Sequence, residues 1–226
     1  MRYNVHAGHN PDGLVACGAE GLIKESTEAR KVKDEVIRLL RAEGEIAYDC
    51  TVNDGYSQSD VLNKIINLSK RNEVDFEVSI HFNSGAEDKK GNGKTTGVEV
   101  LVYELGDEAE QKGKVICGEI SSDMDLKNRG IKVRPDLAVL RRTKAPAMLV
   151  ECCFVDDLDD VRTYNYKSMA KSIVKGLLGR ELTSTQPIKP SNATRKYANG
   201  DYDRKARVVG TDGTGRDVFI RLMHGG

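Results

Sequence analysis

The sequence predicts an α/β fold: a three-layer arrangement in which a mostly parallel, twisted sheet is flanked by helices, followed by a short β-rich C-terminal tail. Segments with the alternating pattern of strands are repeatedly followed by segments with the apolar spacing of helices. That alternation is typical of parallel sheets covered on both faces. The chain has 226 residues, which suits one sizeable domain and a short appendage.

The first part of the chain contains three predicted strands and two predicted helices. Residues 3–7 alternate apolar and polar side chains, as a strand does, and apolar residues recur at helical spacing between residues 25 and 43. The next elements are a strand at 46–50, a helix that opens near Ser57 or Ser59, and a strand at 76–81 that ends on a histidine.

The second part continues the alternation after a polar, glycine-rich loop. Its predicted elements are a strand at 97–103, a charged helix at 107–124, short extended segments at 131–133 and 137–140, a buried strand at 147–150 and a final helix with apolar residues at 170–178. We therefore expect a domain over residues 1–179.

A linker is predicted at residues 180–193, where Ser, Thr, Pro and Asn dominate. Residues 194–226 carry seven basic and four acidic side chains and have the pattern of one hairpin, with strands at 206–209 and 218–222. A lone hairpin is marginally stable in water. We expect a partial binding module whose positive charge favours anionic polymers.

Composition excludes several classes of protein. Lysine plus arginine equals aspartate plus glutamate at 35 each, so the basic excess of a nucleic-acid-binding protein is absent. No apolar run approaches the roughly 20 residues needed to cross a membrane. The five cysteines are odd in number and lack a CxxC pair, which argues against a disulfide framework. The N-terminal residues lack an apolar signal core, so we expect synthesis in the cytoplasm.

Four residues are the candidate functional site. His9 follows the first predicted strand, and His81 and Glu151 end two others, so they are expected to meet at the carboxyl edge of the sheet. Glu25 begins the apolar stripe of the first helix, where an unpaired carboxylate is costly and needs a partner. Two imidazoles and a carboxylate form an open zinc site, and a second carboxylate beside it can transfer protons.

Other interpretations remain open from the residues alone. Glu20 and Glu28 are rival ligands, although Glu28 lies off the apolar stripe. Cys152 or Cys153, with a histidine as base, would make a thiol hydrolase, whereas free cysteines are more often inert and buried. A non-catalytic binding protein is a third alternative.

Four short segments resemble the motifs of the type-3 N-acetylmuramoyl-L-alanine amidases over about residues 2–178. They are Gly8-His9, the segment from Gly21 to Glu25, the segment from Ser79 to Asn83, and the segment from Leu140 to Glu151. The resemblance implies one Zn²⁺ held by His9, Glu25 and His81, with Glu151 as the catalytic residue. Asn83 and Arg141 are the expected substrate contacts, and from the residues alone Arg141 or the adjacent Arg142 could reach a substrate carboxylate.

The resemblance also implies the substrate and the place of action. Members of this family cleave the amide bond between N-acetylmuramic acid and L-alanine in peptidoglycan. The residues that continue from Glu25 are similar to those of clostridial and phage lysins, which implies release to the cell wall through a holin. A zinc peptidase that cuts another bond of peptidoglycan would share the same site.

Overall fold

The computed structural model describes residues 1–183 and the two strand segments 208–211 and 217–220. In chain order the elements are β1 (Arg2–Ala7), α1 (Glu25–Ala42), β2 (Ile46–Asp49), α2 (Gln58–Ser69), β3 (Phe76–Asn83), β4 (Val98–Val102), α3 (Glu108–Met124), β5 (Asn128–Val133), α4 (Ala138–Arg141), β6 (Ala147–Phe154), α5 (Leu158–Thr163), α6 (Tyr166–Leu178), β7 (Val208–Thr211) and β8 (Asp217–Ile220).

The first six strands form one sheet in the order β2-β1-β3-β6-β4-β5. Strands β2, β1, β3 and β6 are parallel, whereas β4 pairs antiparallel with β6 and carries β5 parallel to itself. The starts of β4 and β5 therefore lie at the same edge of the sheet as the ends of β1, β3 and β6. We call this the carboxyl edge. The arrangement confirms the predicted α/β class with a mostly parallel sheet.

Alternating side chains on each strand bury both faces of the sheet. On one face, α1, α3 and α6 pack against a large core that includes Val5, Val78, Val100, Val150 and Ile173. On the other face, α2 and α4 cover a smaller cluster: Val52, Val61, Ile65, Leu101, Val139, Leu140, Ala147 and Leu149. The candidate site residues His9, Glu25, His81 and Glu151 lie at the carboxyl edge of the sheet between these layers.

Two local expectations were wrong. Residues predicted to be extended at 137–140 include the short helix α4, because a brief apolar run does not distinguish strand from helix. Strands β3 and β6 do not end at His81 and Glu151 but continue to Asn83 and Phe154, since each has a paired neighbour there. Helix α5 begins within the acidic run 156–160, where the sequence favours a solvated loop or a helix start; Asp157 caps it by accepting the backbone N–H groups of residues 159 and 160.

The C-terminal strands β7 and β8 pair antiparallel, as expected of a hairpin. The chain divides into two compact units, Met1–Thr185 and Gln186–Gly226. Most of the predicted linker and the rest of residues 194–226 lie outside the described residues, so the linker and the binding module stay predictions. Within the described part of the chain, every helix is too short or too polar to span a membrane.

Candidate metal centre

Three of the predicted side chains converge at the carboxyl edge. Glu25 Oε1 lies 3.0 Å from His81 Nδ1 and 3.3 Å from His9 Nε2. The His9 and His81 rings meet edge to face with their centroids 4.8 Å apart. One donor atom from each residue lies within 4.8 Å of the other two, which is a spacing that can hold a single metal ion.

Backbone N–H groups fix the Glu25 carboxylate at the start of α1. Ala19 N donates to Oε2 at 2.7 Å and Phe82 N donates to Oε1 at 3.1 Å. Burial would raise the pKa of Glu25, but hydrogen bonds to His81 and His9 outweigh it and hold the pKa well below its usual range. Glu25 is therefore an ionised carboxylate in a buried site.

Two glycines allow the three side chains to approach each other. A Cβ atom on Gly8 would lie 1.9 Å from the His81 ring, so only glycine fits there. Gly18 has a φ of +83°, and a Cβ atom there would lie 2.5 Å from Glu25 Oε2. Sequence reasoning recognised Gly8 as part of a motif and missed Gly18, whose only signal is a glycine-rich loop.

Arg30 holds the loop that carries His9, and sequence reasoning missed it. Its guanidinium donates to the carbonyl oxygens of His9 at 2.6 Å and Val52 at 3.1 Å, and to Asn53 Oδ1 at 2.9 Å. Asn10, which is fully buried, bridges the same loop to Gly55. Because these contacts join loops distant in sequence, no local pattern reveals them.

The rival carboxylates point elsewhere. Glu28 pairs with Lys31 and accepts a hydrogen bond from the Tyr164 hydroxyl at 3.1 Å. Glu20 pairs with Lys24 at the surface. Neither contributes to the cluster of His9, Glu25 and His81.

Glu151 lies beside this cluster on the neighbouring strand. It is directly paired with His81 in the β3–β6 register and with Glu99 in the β4–β6 register. Burial raises the pKa of Glu151 to about 8, aided by the Glu25 and Glu99 charges and opposed by Arg134. Its Oε2 atom is buried and has no hydrogen-bond partner among the described residues.

The two expected substrate contacts occupy different positions. Asn83 donates from Nδ2 to Glu99 Oε1 at 2.9 Å, so it joins the row of polar groups beside Glu151. Arg141 is exposed at the end of α4. A hydrogen bond from Arg134 is the main reason that the pKa of Asp136 is lowered to about 2, and the positive charge of Arg141 acts in the same direction.

A cavity of about 110 Å³ opens beside His9 and His81. Apolar side chains of Val61, Leu62 and Leu149 form much of its wall. It offers an apolar recess next to the cluster.

The adjacent cysteines are inaccessible. Cys152 and Cys153 are fully buried. Burial raises the pKa of both thiols well above the usual range, so the reactive thiolate is disfavoured. The thiol-hydrolase interpretation therefore has no support from the structure.

Two curated relatives match most of this chain. A relative described as an uncharacterized protein of Clostridium perfringens is 33% identical over 193 residues, which cover 84% of this chain and 55% of the relative. The endolysin of Bacillus phage SPP1 is 28% identical over 75% of this chain and 60% of its own length. The chain thus spans a little over half the length of these curated relatives.

A solved structure and a family profile complete the comparison. The catalytic domain of CD27L endolysin, described as targeting Clostridia difficile, superposes with a TM-score of 0.71 at 23% identity, covering 81% of this chain and 99% of that domain. This likeness shows a shared fold. The profile described as N-acetylmuramoyl-L-alanine amidase matches residues 4–179. The chain therefore belongs to the N-acetylmuramoyl-L-alanine amidase family.

Proposed function

We propose that this chain is a zinc-dependent hydrolase that cleaves the amide bond between N-acetylmuramic acid and L-alanine in peptidoglycan. One observation carries the proposal: donor atoms of His9, Glu25 and His81 converge within 4.8 Å of one another, and Glu151 is the next residue along the sheet from His81. Family membership supports the choice of bond.

The donor set fits zinc. Ligands about 2.0 to 2.1 Å from a tetrahedral Zn²⁺ lie roughly 3.3 Å from one another. Glu25 Oε1 is 3.0 Å from the His81 nitrogen and 3.3 Å from the His9 nitrogen. Two imidazoles and one carboxylate also leave a fourth position open, as in catalytic rather than structural zinc sites.

His9, Glu25 and His81 would hold the ion. When bound, Zn²⁺ lowers the pKa of water toward about 7 and polarises a carbonyl oxygen. Glu151 then accepts the proton of the attacking water and delivers it to the nitrogen of the departing L-alanine. One carboxyl group can serve both steps, since the second returns the proton that the first removed.

The surroundings of Glu151 suit this role. Burial and two neighbouring carboxylates raise its pKa to about 8, close to the pH at which proton transfer in both directions is efficient. A divalent cation at the neighbouring cluster would favour the ionised form and lower the pKa from that value. The Oε2 atom of Glu151, which has no hydrogen-bond partner among the described residues, is then free to accept the proton of the attacking water.

We also propose that the chain acts as a lysin on the cell wall after release from the cell that makes it. The support is its likeness to a phage endolysin. The apolar recess beside His9 would receive an uncharged part of the substrate, because little polar surface lines it.

The test is clearance of purified Gram-positive cell walls, followed by mass spectrometry of the fragments. We expect turbidity to fall, chelator to stop the fall, and added Zn²⁺ to restore it. Free L-alanine amino termini should appear while the glycan strands stay intact. New amino termini at other residues would replace the proposal with a zinc peptidase, and binding without clearance would replace it with a non-catalytic wall protein.

A further inference from the structure

A row of charged side chains continues from Glu151 toward the edge strand β5. Glu99 is paired with Glu151 across β4 and β6 and is 8% exposed. Glu99 Oε2 accepts a hydrogen bond from Arg129 Nε at 2.7 Å. The row lies at the carboxyl edge because β4 and β5 start there.

A β-bulge brings Arg129 into this row. Val98 pairs with Asn128 and Val100 with Ile131, so two residues of β5 lie opposite the single residue Glu99. Gly130 in the bulge has a φ of 70°, and its N–H donates to Asn128 Oδ1 at 2.9 Å. Bulges next to active sites commonly redirect a side chain.

The guanidinium of Arg129 is held in place but keeps hydrogen-bond donors that are not used within the described residues. Glu99 binds Nε, and the Phe154 ring lies beneath the guanidinium carbon with its centroid 5.0 Å away. The side chain is 30% exposed. Among residues 1–183, no group accepts a hydrogen bond from its two terminal nitrogens, which leaves them available for a ligand oxygen.

Arg134, which also lies near Glu151, differs in this respect. Arg134 uses its guanidinium in two hydrogen bonds to Asp136, at 2.9 and 2.8 Å. A guanidinium with one anchored nitrogen and two free ones is the group that recognises a carboxylate with two parallel hydrogen bonds.

We propose that Arg129 binds a carboxylate on the peptide half of the substrate and so selects stem peptides with a free carboxyl group on the residue after L-alanine. This inference rests on the proposed function. The muramic acid half has its carboxyl group consumed in the scissile amide, so a free carboxylate belongs to the peptide half.

The separation agrees with that assignment. Glu99 lies one strand spacing, about 4.8 Å, from Glu151, and the guanidinium lies one hydrogen bond of about 3 Å beyond. An extended chain advances about 3.5 Å per residue, so a carboxyl group on the second residue reaches roughly 7 Å past the scissile nitrogen.

The experiment compares two N-acetylmuramoyl peptides that differ only in whether the unlinked carboxyl group of the second residue is free or amidated. We would measure kcat/KM for the zinc-loaded full chain and for its Arg129→Gln, Arg129→Lys and Arg71→Gln variants. Arg71 is an exposed arginine beyond the end of α2 and is the matched control. Zinc content and thermal unfolding would verify that each variant is folded and loaded.

We expect the natural sequence to prefer the free acid by about 10-fold to 100-fold, the range of a charge-assisted hydrogen bond. Arg129→Gln should remove the preference by slowing the acid peptide, with less than about threefold effect on the amide peptide, since that peptide brings no charge. Arg129→Lys should keep part of the preference, and Arg71→Gln all of it.

Equal slowing of both peptides by Arg129→Gln would overturn the inference, since a structural role lowers both rates. Equal cleavage of both peptides by the natural sequence would overturn it as well and leave the proposed function standing. Cleavage of neither peptide by the zinc-loaded natural sequence would remove the proposed function and this inference together.

Discussion

Glu25 Oε1 lies 3.0 Å from Nδ1 of His81, although the two residues are 56 positions apart in the chain. One comes from the first turn of α1 and the other from β3. The backbone N–H of Phe82 also binds the same oxygen, so the strand both presents the imidazole and orients the carboxylate. The cluster is thereby preorganised around a negative charge.

Replacing Glu25 with glutamine tests its role as a ligand. The amide keeps the shape of the side chain but removes the charge that balances a divalent cation. We expect bound zinc to fall from about one ion per chain to nearly none. We expect kcat/KM to fall more than roughly 100-fold, which is a larger loss than removing a residue that only supports a metal ligand would cause. Glu28→Gln, on the same helix, is the control and should keep zinc. Metal analysis that finds full zinc in Glu25→Gln would contradict the assignment.

Replacing Glu151 with glutamine should separate metal binding from turnover. The variant lacks a group that can accept a proton, so kcat should fall by roughly 10²–10⁴ while zinc content stays unchanged. Steady-state kinetics and metal analysis on one preparation would measure both. Retained turnover would exclude Glu151 as the proton carrier.

Gly18 provides a test of the close approach at the site. Gly18→Ala places a Cβ atom 2.5 Å from Glu25 Oε2 and 2.8 Å from His9 Cδ2. We expect zinc affinity to fall roughly 10-fold to 100-fold, as when the support of a ligand is disturbed. Gly13→Ala is the matched control, because Gly13 has a similar φ of +81° and nothing within 4 Å of its Cβ position. Competition titration with a chelating dye measures both, and equal losses would show that backbone strain alone is responsible.

Arg30 should act as a positioning residue for His9. Arg30→Gln leaves the partly buried carbonyl oxygens of His9 and Val52 without their guanidinium donor, which we expect to lower the free energy of unfolding by about 1–3 kcal/mol. Zinc affinity should fall as well, because the His9 loop loses its anchor. Arg38→Gln is the control, since Arg38 pairs with Glu35 on the surface of the same helix. Urea denaturation and zinc titration would compare them; unchanged zinc affinity in Arg30→Gln would refute the positioning role.

His6 should make stability depend on pH. Burial, and to a smaller extent the His81 charge, lower the pKa of His6 from 6.5 to about 3. Between these values the unfolded chain binds a proton that the folded chain does not. Stability is therefore lost as pH falls from about 6.5 toward about 3, by up to a few kcal/mol. His6→Gln should weaken this dependence.

Urea denaturation of the metal-free protein at about pH 7 and about pH 4 measures the effect. The difference in unfolding free energy between the two pH values should be smaller for His6→Gln than for the natural sequence. Equal differences would show that His6 does not control the loss of stability at low pH.

The sequence by itself determined the fold class and most elements, because periodicity reports directly which face of a strand or helix is buried. The apolar stripe that begins at Glu25 predicted a buried carboxylate in need of a partner, and the structure supplies His81 and His9. The sequence also favoured burial for Cys152 and Cys153, and both are fully buried. These conclusions depend on local spacing and on residue type alone.

Only the tertiary structure decided the direction of β4 and the groups that this direction brings to the site. An apolar strand has the same pattern whether it runs parallel or antiparallel to its neighbour, so the sequence did not reveal that Glu99 lies opposite Glu151. The contacts of Arg30 and Gly18 were equally hidden, because they join loops through space. Charge compensation and close approach depend on distances between atoms, and those distances exist only after the sheet has assembled.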